Sequence, residues 1–383
     1  MTFFTNSTQS IFNSPSNTTQ KTALNAQKTA EVQCPPSDTV SGLCFSPECI
    51  QTVFLAATSW DNRVRIWEIQ ANGTTVPKAE QMHQGPALGV CWANDGTKLF
   101  SVSADKTAQM WDLGSNSFTQ VAAHDAPIKT VHFIACPSYT CLMTGSWDKR
   151  LRQVVLLHFY VLKPSRLFMF WDLRQATPIL NLDLPERVYC AAVHYPLALV
   201  GTANRHVIAY NLENGPAEFT RIESPLKFQN RCVSIFLDKQ TRRPNGFALG
   251  STEGRVAIQY LNPSTPKDNF TFKCHRPSAL VNGYHEIYAV NDMAFHPING
   301  TLATVGSDGY YSFWDKDART KLRSPDVPES LPLTCCTFDP KGQVFCYASG
   351  YDWSKGYQFA DPSKPVKILM RLCMDEMVSN RKT

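Results

Sequence analysis

Short apolar runs broken by small, polar turn residues recur along the whole chain, and the clearest is Gly306-Ser-Asp-Gly-Tyr-Tyr-Ser-Phe-Trp-Asp315. A turn, Gly306 to Gly309, leads into an aromatic run ending in Trp-Asp, with Asp308 six residues before Trp314. Runs of this length between turn signals predict β-strands joined by hairpins. The same offset separates Asp61 from Trp67 and Asp105 from Trp111. It persists without Trp from Asn204 to Tyr210, Glu253 to Gln259 and Asp352 to Gln358. Trp171-Asp172 completes seven copies, whose anchor positions lie 44, 60, 39, 49, 55 and 44 residues apart.

Repetition at this period, with Trp-Asp closing a strand, is the signature of WD-repeat blades. One four-stranded blade cannot bury both its faces, whereas a closed ring of them can. The predicted fold is therefore all-β, a seven-bladed WD40 β-propeller. In each copy the Asp is placed in a hairpin turn and the Trp in the next strand. An upstream His (His83, His124 and His285) would complete a buried His, Ser/Thr, Asp and Trp network that includes Asp105 and Asp148. Buried polar groups must be paired, so a structural role is expected of these residues.

Three segments follow. Residues 1–28 are expected to be a disordered tail, because eighteen of the first thirty residues are Ser, Thr, Asn or Gln and none is acidic. Residues 29–372 are assigned to the propeller and 373–383 to a basic tail. Thr29-Ala-Glu-Val-Gln33 is predicted to be a lone strand that closes the last blade and removes its open edge. Blades are placed at about Asp38–Gln70, from His83 to Leu113, from His124 onward, at about Val188–Leu212 and Cys232–Leu261, up to Lys316, and at Leu333–Phe359. Asn94-Asp-Gly96 is a hairpin turn in blade 2. The region from Lys364 onward is expected to lie on the ring as a strand or short helix, or to fray.

Blade 3 breaks the ladder. A Trp is due six residues after Asp148 and arrives at Trp171, so 17 residues are in excess within 150–170. The excess is apolar and basic. Two readings stay open: an in-frame addition of splice or gene-model origin, or a hydrophobic loop that gates a partner on one face.

Composition narrows the class. Hydrophobic residues make up 43% and aromatics 11%, enough for a large core rather than a disordered chain. The longest uncharged apolar run, Gln153–Leu162, is too short to span a bilayer, so no membrane insertion is expected, nor is a secretory leader. Thirteen Cys without a C-x-x-C pair predict buried thiols rather than a disulfide framework or zinc site. The five N-x-Ser/Thr sequons are then incidental. No G-x-S-x-G, H-E-x-x-H or P-loop is present, so no cofactor, metal or catalytic residue is assigned and a binding ring is preferred over a propeller hydrolase.

Charge points to a surface. Ten Lys/Arg face four Asp/Glu between Arg221 and Arg276, and Lys316, Arg319, Lys321 and Arg323 face only Asp317. On adjacent blades 5 and 6 these cations suit an acidic peptide or nucleic-acid phosphate. Phe270 and Phe272 alternate with Lys273, which offers a stacking platform for bases, although such rings also serve as blade core.

The strings SWDK, NFTFKCHR, IYAVNDMAFHP, GTLATVGSDGYYSFWDKDARTKL and ASGYDWSKG resemble the WD-repeat messenger-RNA export factor family of the nuclear pore. The likeness runs from about Glu31 to the tail, apart from the blade 3 excess. It implies a propeller that binds the acidic, hairpin-like GLEBS segment of an FG-repeat nucleoporin, with single-stranded RNA as a further partner. It also implies a role with spindle and microtubule factors in mitosis, and residence in the nucleus, at the nuclear envelope and in the cytoplasm. It places nucleic acid, or a viral protein mimicking it, on Arg255, Phe272, Lys273, Trp314, Asp315, Lys316, Arg319 and Lys321, and leaves the GLEBS contacts unassigned. The alternative is the sister spindle-checkpoint propeller, which binds GLEBS segments of checkpoint kinases. The DWSKG string and the polar leader favour the export factor.

Overall fold

The structure, a computed structural model, describes residues 29–137, 139–158, 180–213, 216–277, 280, 282–361 and 363–373. The expected tail 1–28 and all of the expected tail 373–383 except Cys373 lie outside the described residues, as do Trp171 and Asp172.

Seven four-stranded antiparallel sheets follow one another in chain order. Their first strands, Val40–Phe45, Ala87–Trp92, Ile128–Ala135, Val188–His194, Asn230–Leu237, Val290–Phe295 and Leu333–Phe338, each touch the next around a central axis, and the last touches the first. The ring is closed, and no α-helix occurs among the described residues. Because neighbouring strands run antiparallel, the first hairpin turns of the blades lie on one face, together with the third turns of blades 1, 2, 4, 5 and 6. The second turns and the connections between blades lie on the other.

Closure is non-covalent, through pairing of Ala30–Glu31 with Lys367–Leu372 in register Ala30 to Met370 and Glu31 to Leu369. The predicted lone strand thus supplies the outer strand of blade 7. The third strand of that blade is Lys367–Leu372 rather than a run ending near Phe359. Gln358 sits in a 3-10 turn, Tyr357–Phe359, because the segment after Ser349 leaves the sheet before returning at Lys367.

The core is distributed between blades. Trp67 packs with Leu55 of blade 1 and with Cys346, Ala348 and Ile368 of blade 7, and Trp111 packs with Phe54 and Ile66 across the next junction. Both indoles are fully buried. Removing such a side chain costs about 3–5 kcal/mol, so the Trp positions hold blade to blade.

The polar network forms in three blades. His83 Nδ1 meets Asp105 Oδ2 at 3.1 Å while Nε2 meets Ser101 Oγ at 2.8 Å. His124 joins Asp148 and Thr144 at 2.8 and 2.9 Å. In blade 6 the histidine is His275, not His285; it joins Asp308 and Thr304 at 2.8 and 3.0 Å. His83 and His124 directly follow an outer strand, and His275 lies one residue further past its own, Phe270–Lys273; His285 falls in the long connection beyond. Among the described residues only Trp314 reaches its network, donating to Thr304 Oγ1 at 3.1 Å. Trp67 donates instead to the Gln33 carbonyl and Trp111 to the Asn116 side chain. Blade 1 has an arginine in place of the histidine: Arg65 bridges Asp61 at 2.7 Å and Glu80 at 3.2 Å.

Blade 3 absorbs the start of its excess into a strand. Arg150–His158 pairs with Tyr139–Ser146 on one side, and its first four residues pair with Leu180–Asp183 on the other. Leu142 opposes Val154, the place held by Trp in the pairs Leu55 to Trp67, Leu99 to Trp111 and Leu302 to Trp314.

Candidate partner and nucleic-acid surfaces

The eight residues singled out on blades 5 and 6 do not form one uniform patch. Arg255 opens the third strand of blade 5 and stands opposite Lys273 of the outer strand. Arg255 leans on Glu253, with Nε 3.4 Å from Oε2, whereas Lys273 is exposed. Phe272 lies against Trp314 of blade 6 with ring centroids 4.7 Å apart, and the exposed Lys321 sits 5.9 Å from the same indole. Arg319, in a left-handed turn with φ 58°, lays its guanidinium 4.3 Å from the Phe270 ring centre and donates to the Lys267 carbonyl at 2.6 Å. These groups form one strip of rings edged by cations across the blade 5–6 junction.

Asp315 and Lys316 play other parts. Asp315 Oδ1 accepts the backbone N–H groups of Asp317 and Ala318 and so shapes the turn. Lys316 points inward. Its side chain is 8% exposed, pairs with Asp317 and lies 4.5 Å from the Phe236 ring centre and 5.6 Å from that of Tyr260. Asp317 also bridges Lys239 of blade 5 at 2.7 Å, and the two ammoniums hold its carboxyl below the ordinary range against the opposing effect of burial. Lys316 therefore locks two blades together and offers no charge to a ligand. Lys239, Lys267, Arg242 and Arg243 extend the basic character over the same face and are exposed.

A second site lies at the axis. The channel holds a cavity of about 920 Å³ that opens among Trp60, Trp147 and Trp353. The second residue of each innermost strand faces it: Ser41, Leu88, Lys129, Tyr189, Arg231, Asn291 and Thr334. Two of these are cations, and neither forms a hydrogen bond or close ion pair among the described residues. Burial and the Arg231 charge lower the Lys129 pKa, while burial pushes Asp292 up to about 6 despite N–H donors from Cys336 and Met293. Asn230 is fully buried at the cavity wall with both amide atoms unpaired among the described residues, where the other innermost strands begin with apolar residues. The face above the channel is rich in exposed apolar groups, with Trp60, Phe228, Leu280, Tyr284, Ile287, Val327, Trp353, Tyr357 and Phe359 all on second turns or blade connections.

Sequence reasoning missed this second site. Lys129 and Arg231 are ordinary cations until the seven innermost strands are stacked in register, which puts both on one layer of the channel wall. Trp60, Trp147 and Trp353 carried a signal, since each adjoins a repeat Asp.

The WD domain, G-beta repeat family model matches residues 27–68 and 78–112. Curated relatives match almost end to end. Protein Rae1 of Drosophila melanogaster is 54% identical over 355 residues, 93% of this chain and 97% of that protein. The mRNA export factor of Xenopus tropicalis is 55% identical over 360 residues, 94% of this chain and 93% of its own length. The chain belongs to the mRNA export factor family. The Mus musculus member is 54% identical over the same length. Both the WD40 architecture and the names of these mRNA export factors point to a scaffold rather than an enzyme.

Proposed function

We propose that this protein is a non-enzymatic adaptor of messenger-RNA export that holds a nucleoporin GLEBS segment on its aromatic face and single-stranded RNA at the rim of blades 5 and 6. It would act in the nucleus, at the pore and in the cytoplasm, with a further role on the mitotic spindle. One observation carries the peptide site: Lys129 and Arg231 stand on one layer of the channel wall beneath Trp60, Trp147 and Trp353, without a direct hydrogen bond or close ion pair among the described residues and with Asp292 as the carboxylate that acts on Lys129 from a distance. A buried charge without a partner is costly, and an acidic segment laid across this face would supply carboxylates to both cations while its apolar residues cover the exposed rings. At the rim, Phe272 and Trp314 offer aromatic faces while Lys273, Arg319 and Lys321 supply charge, the combination that single strands use.

Calorimetry with an acidic GLEBS-type peptide tests the first half. Reversing Lys129 and Arg231 to Glu is expected to weaken the peptide by at least about a hundredfold, since charge-paired buried contacts are worth 2–5 kcal/mol each. RNA affinity should stay unchanged. Equal peptide affinity for both proteins would refute the channel assignment.

A further inference from the structure

Four serines or threonines among the described residues stand directly before a proline: Ser46, Ser224, Thr265 and Ser324. Ser46 and Ser224 are 3% and 6% exposed, and the Ser324 hydroxyl is tied to Ser312 Oγ at 2.7 Å. Thr265 is different. It lies in the exposed run 262–267 with extended backbone, φ −138° and ψ 153°, the form in which a kinase cleft takes up a Thr-Pro pair. Its hydroxyl donates to Asp268 Oδ1 at 3.0 Å and its N–H to Oδ2 at 2.8 Å, in a surface turn. Arg319 reaches into that turn by its bond to the Lys267 carbonyl.

We propose that Thr265 is a phosphorylation site for a proline-directed protein kinase, and that its phosphate switches off RNA binding at the neighbouring rim. The second half rests on the RNA reading above. In the transfer, Thr265 Oγ1 bonds to the γ-phosphorus of ATP as the bond to the β-phosphate oxygen breaks. ADP leaves, and the hydroxyl proton passes to the kinase's base. The product loses the hydroxyl donor to Asp268 and sets a charge of about −2 against that carboxylate, so the turn opens. The phosphate then turns to Lys267 and Arg319, which it neutralises. Arg319 would thereby leave the Phe270 ring and be lost to RNA.

The full chain is treated with a cyclin-dependent-class kinase and ATP, mapped by mass spectrometry, and titrated against a fluorescent single-stranded RNA beside a Thr265→Ala variant treated alike. Expected are a phosphate at Thr265, affinity about tenfold weaker at low salt, and a salt slope shallower by about 1.4, two cations at about 0.7 each. The variant should keep full affinity. No phosphate at Thr265 overturns the site. Phosphate there with unchanged affinity overturns the switch, provided that Lys321→Glu weakens the same RNA. A chain that binds no RNA in either state overturns the RNA reading and the switch with it, and the mass map then judges the site alone.

Discussion

Deleting residues 153–169 should stabilise the propeller. The shortened chain would read Asp148-Lys-Arg-Leu-Arg152-Phe170-Trp171-Asp172 and restore a Trp six residues after the turn Asp. Phe170 would take the place of Gln153, which is 5% exposed, opposes Met143 and has Nε2 unpaired among the described residues. Removing a buried, unpaired amide is worth about 1–3 kcal/mol. Trp171 would take the place of Val154 opposite Leu142, between blades 2 and 3. The extra apolar area of Trp over Val, about 100 Å² at about 25 cal/mol per Å², adds about 2.5 kcal/mol. The sum is about 3.5–5.5 kcal/mol, with Asn181, Leu182 and Asp183 keeping their partners Arg152, Leu151 and Arg150 and Phe170 replacing Gln153 opposite Leu180. Urea unfolding followed by tryptophan fluorescence, with scanning calorimetry in parallel, compares the two chains. A shortened chain no more stable than the full one would refute the registration of blade 3.

Other outcomes follow from geometry. Lys316→Glu should cost about 3–5 kcal/mol of stability, because it sets a carboxylate beside Asp317 in a site closed by Phe236 and Tyr260. Lys321→Glu should leave the melting temperature unchanged, weaken RNA and lower the salt slope by about 1. Thr304→Val removes the hydroxyl shared by His275 and Trp314 and should cost about 1–3 kcal/mol by chemical denaturation. The Asp292 carboxyl, raised to about 6 by burial, binds its proton more tightly folded than unfolded. Its contribution to stability therefore falls as pH rises from about 4 to about 6, by up to roughly 3 kcal/mol. Unfolding free energies measured across that window should lose this decline in Asp292→Asn.

The ring was legible because its signal is written seven times. Asp308 and Trp314 fix an offset, and the offset finds other turns even where Trp has become Tyr or Gln. It failed at Gln358, where a long excursion separates Ser349 from Lys367 and no local rule tells a strand from an aromatic surface turn. The sequence points to His285, although His275 also precedes blade 6; only the end of the outer strand at Lys273 identifies His275 as the network histidine. At the rim, sequence reasoning grouped Lys316 with Arg319 and Lys321 by proximity. A side chain's direction within a tight turn is set by the neighbouring blade, and here Phe236 and Tyr260 draw Lys316 inward. The channel was illegible for a related reason: its wall is assembled from seven single positions dispersed over most of the chain.

The pairing of Ala30–Glu31 with Met370 and Leu369 has a consequence for synthesis. The strand that emerges first from the ribosome is the last to find its partner. Until residue 372 is free, blade 7 lacks two of its four strands, and the junction around Trp67 stands open on one side. Such an unfinished edge is sticky, so a chain cut short anywhere in its last blade is a substrate for chaperones and proteases rather than a weaker copy of the whole. Completion of the ring is thereby read out by the fold itself: only a chain translated through Leu372 can fasten Ala30–Glu31 to its last blade.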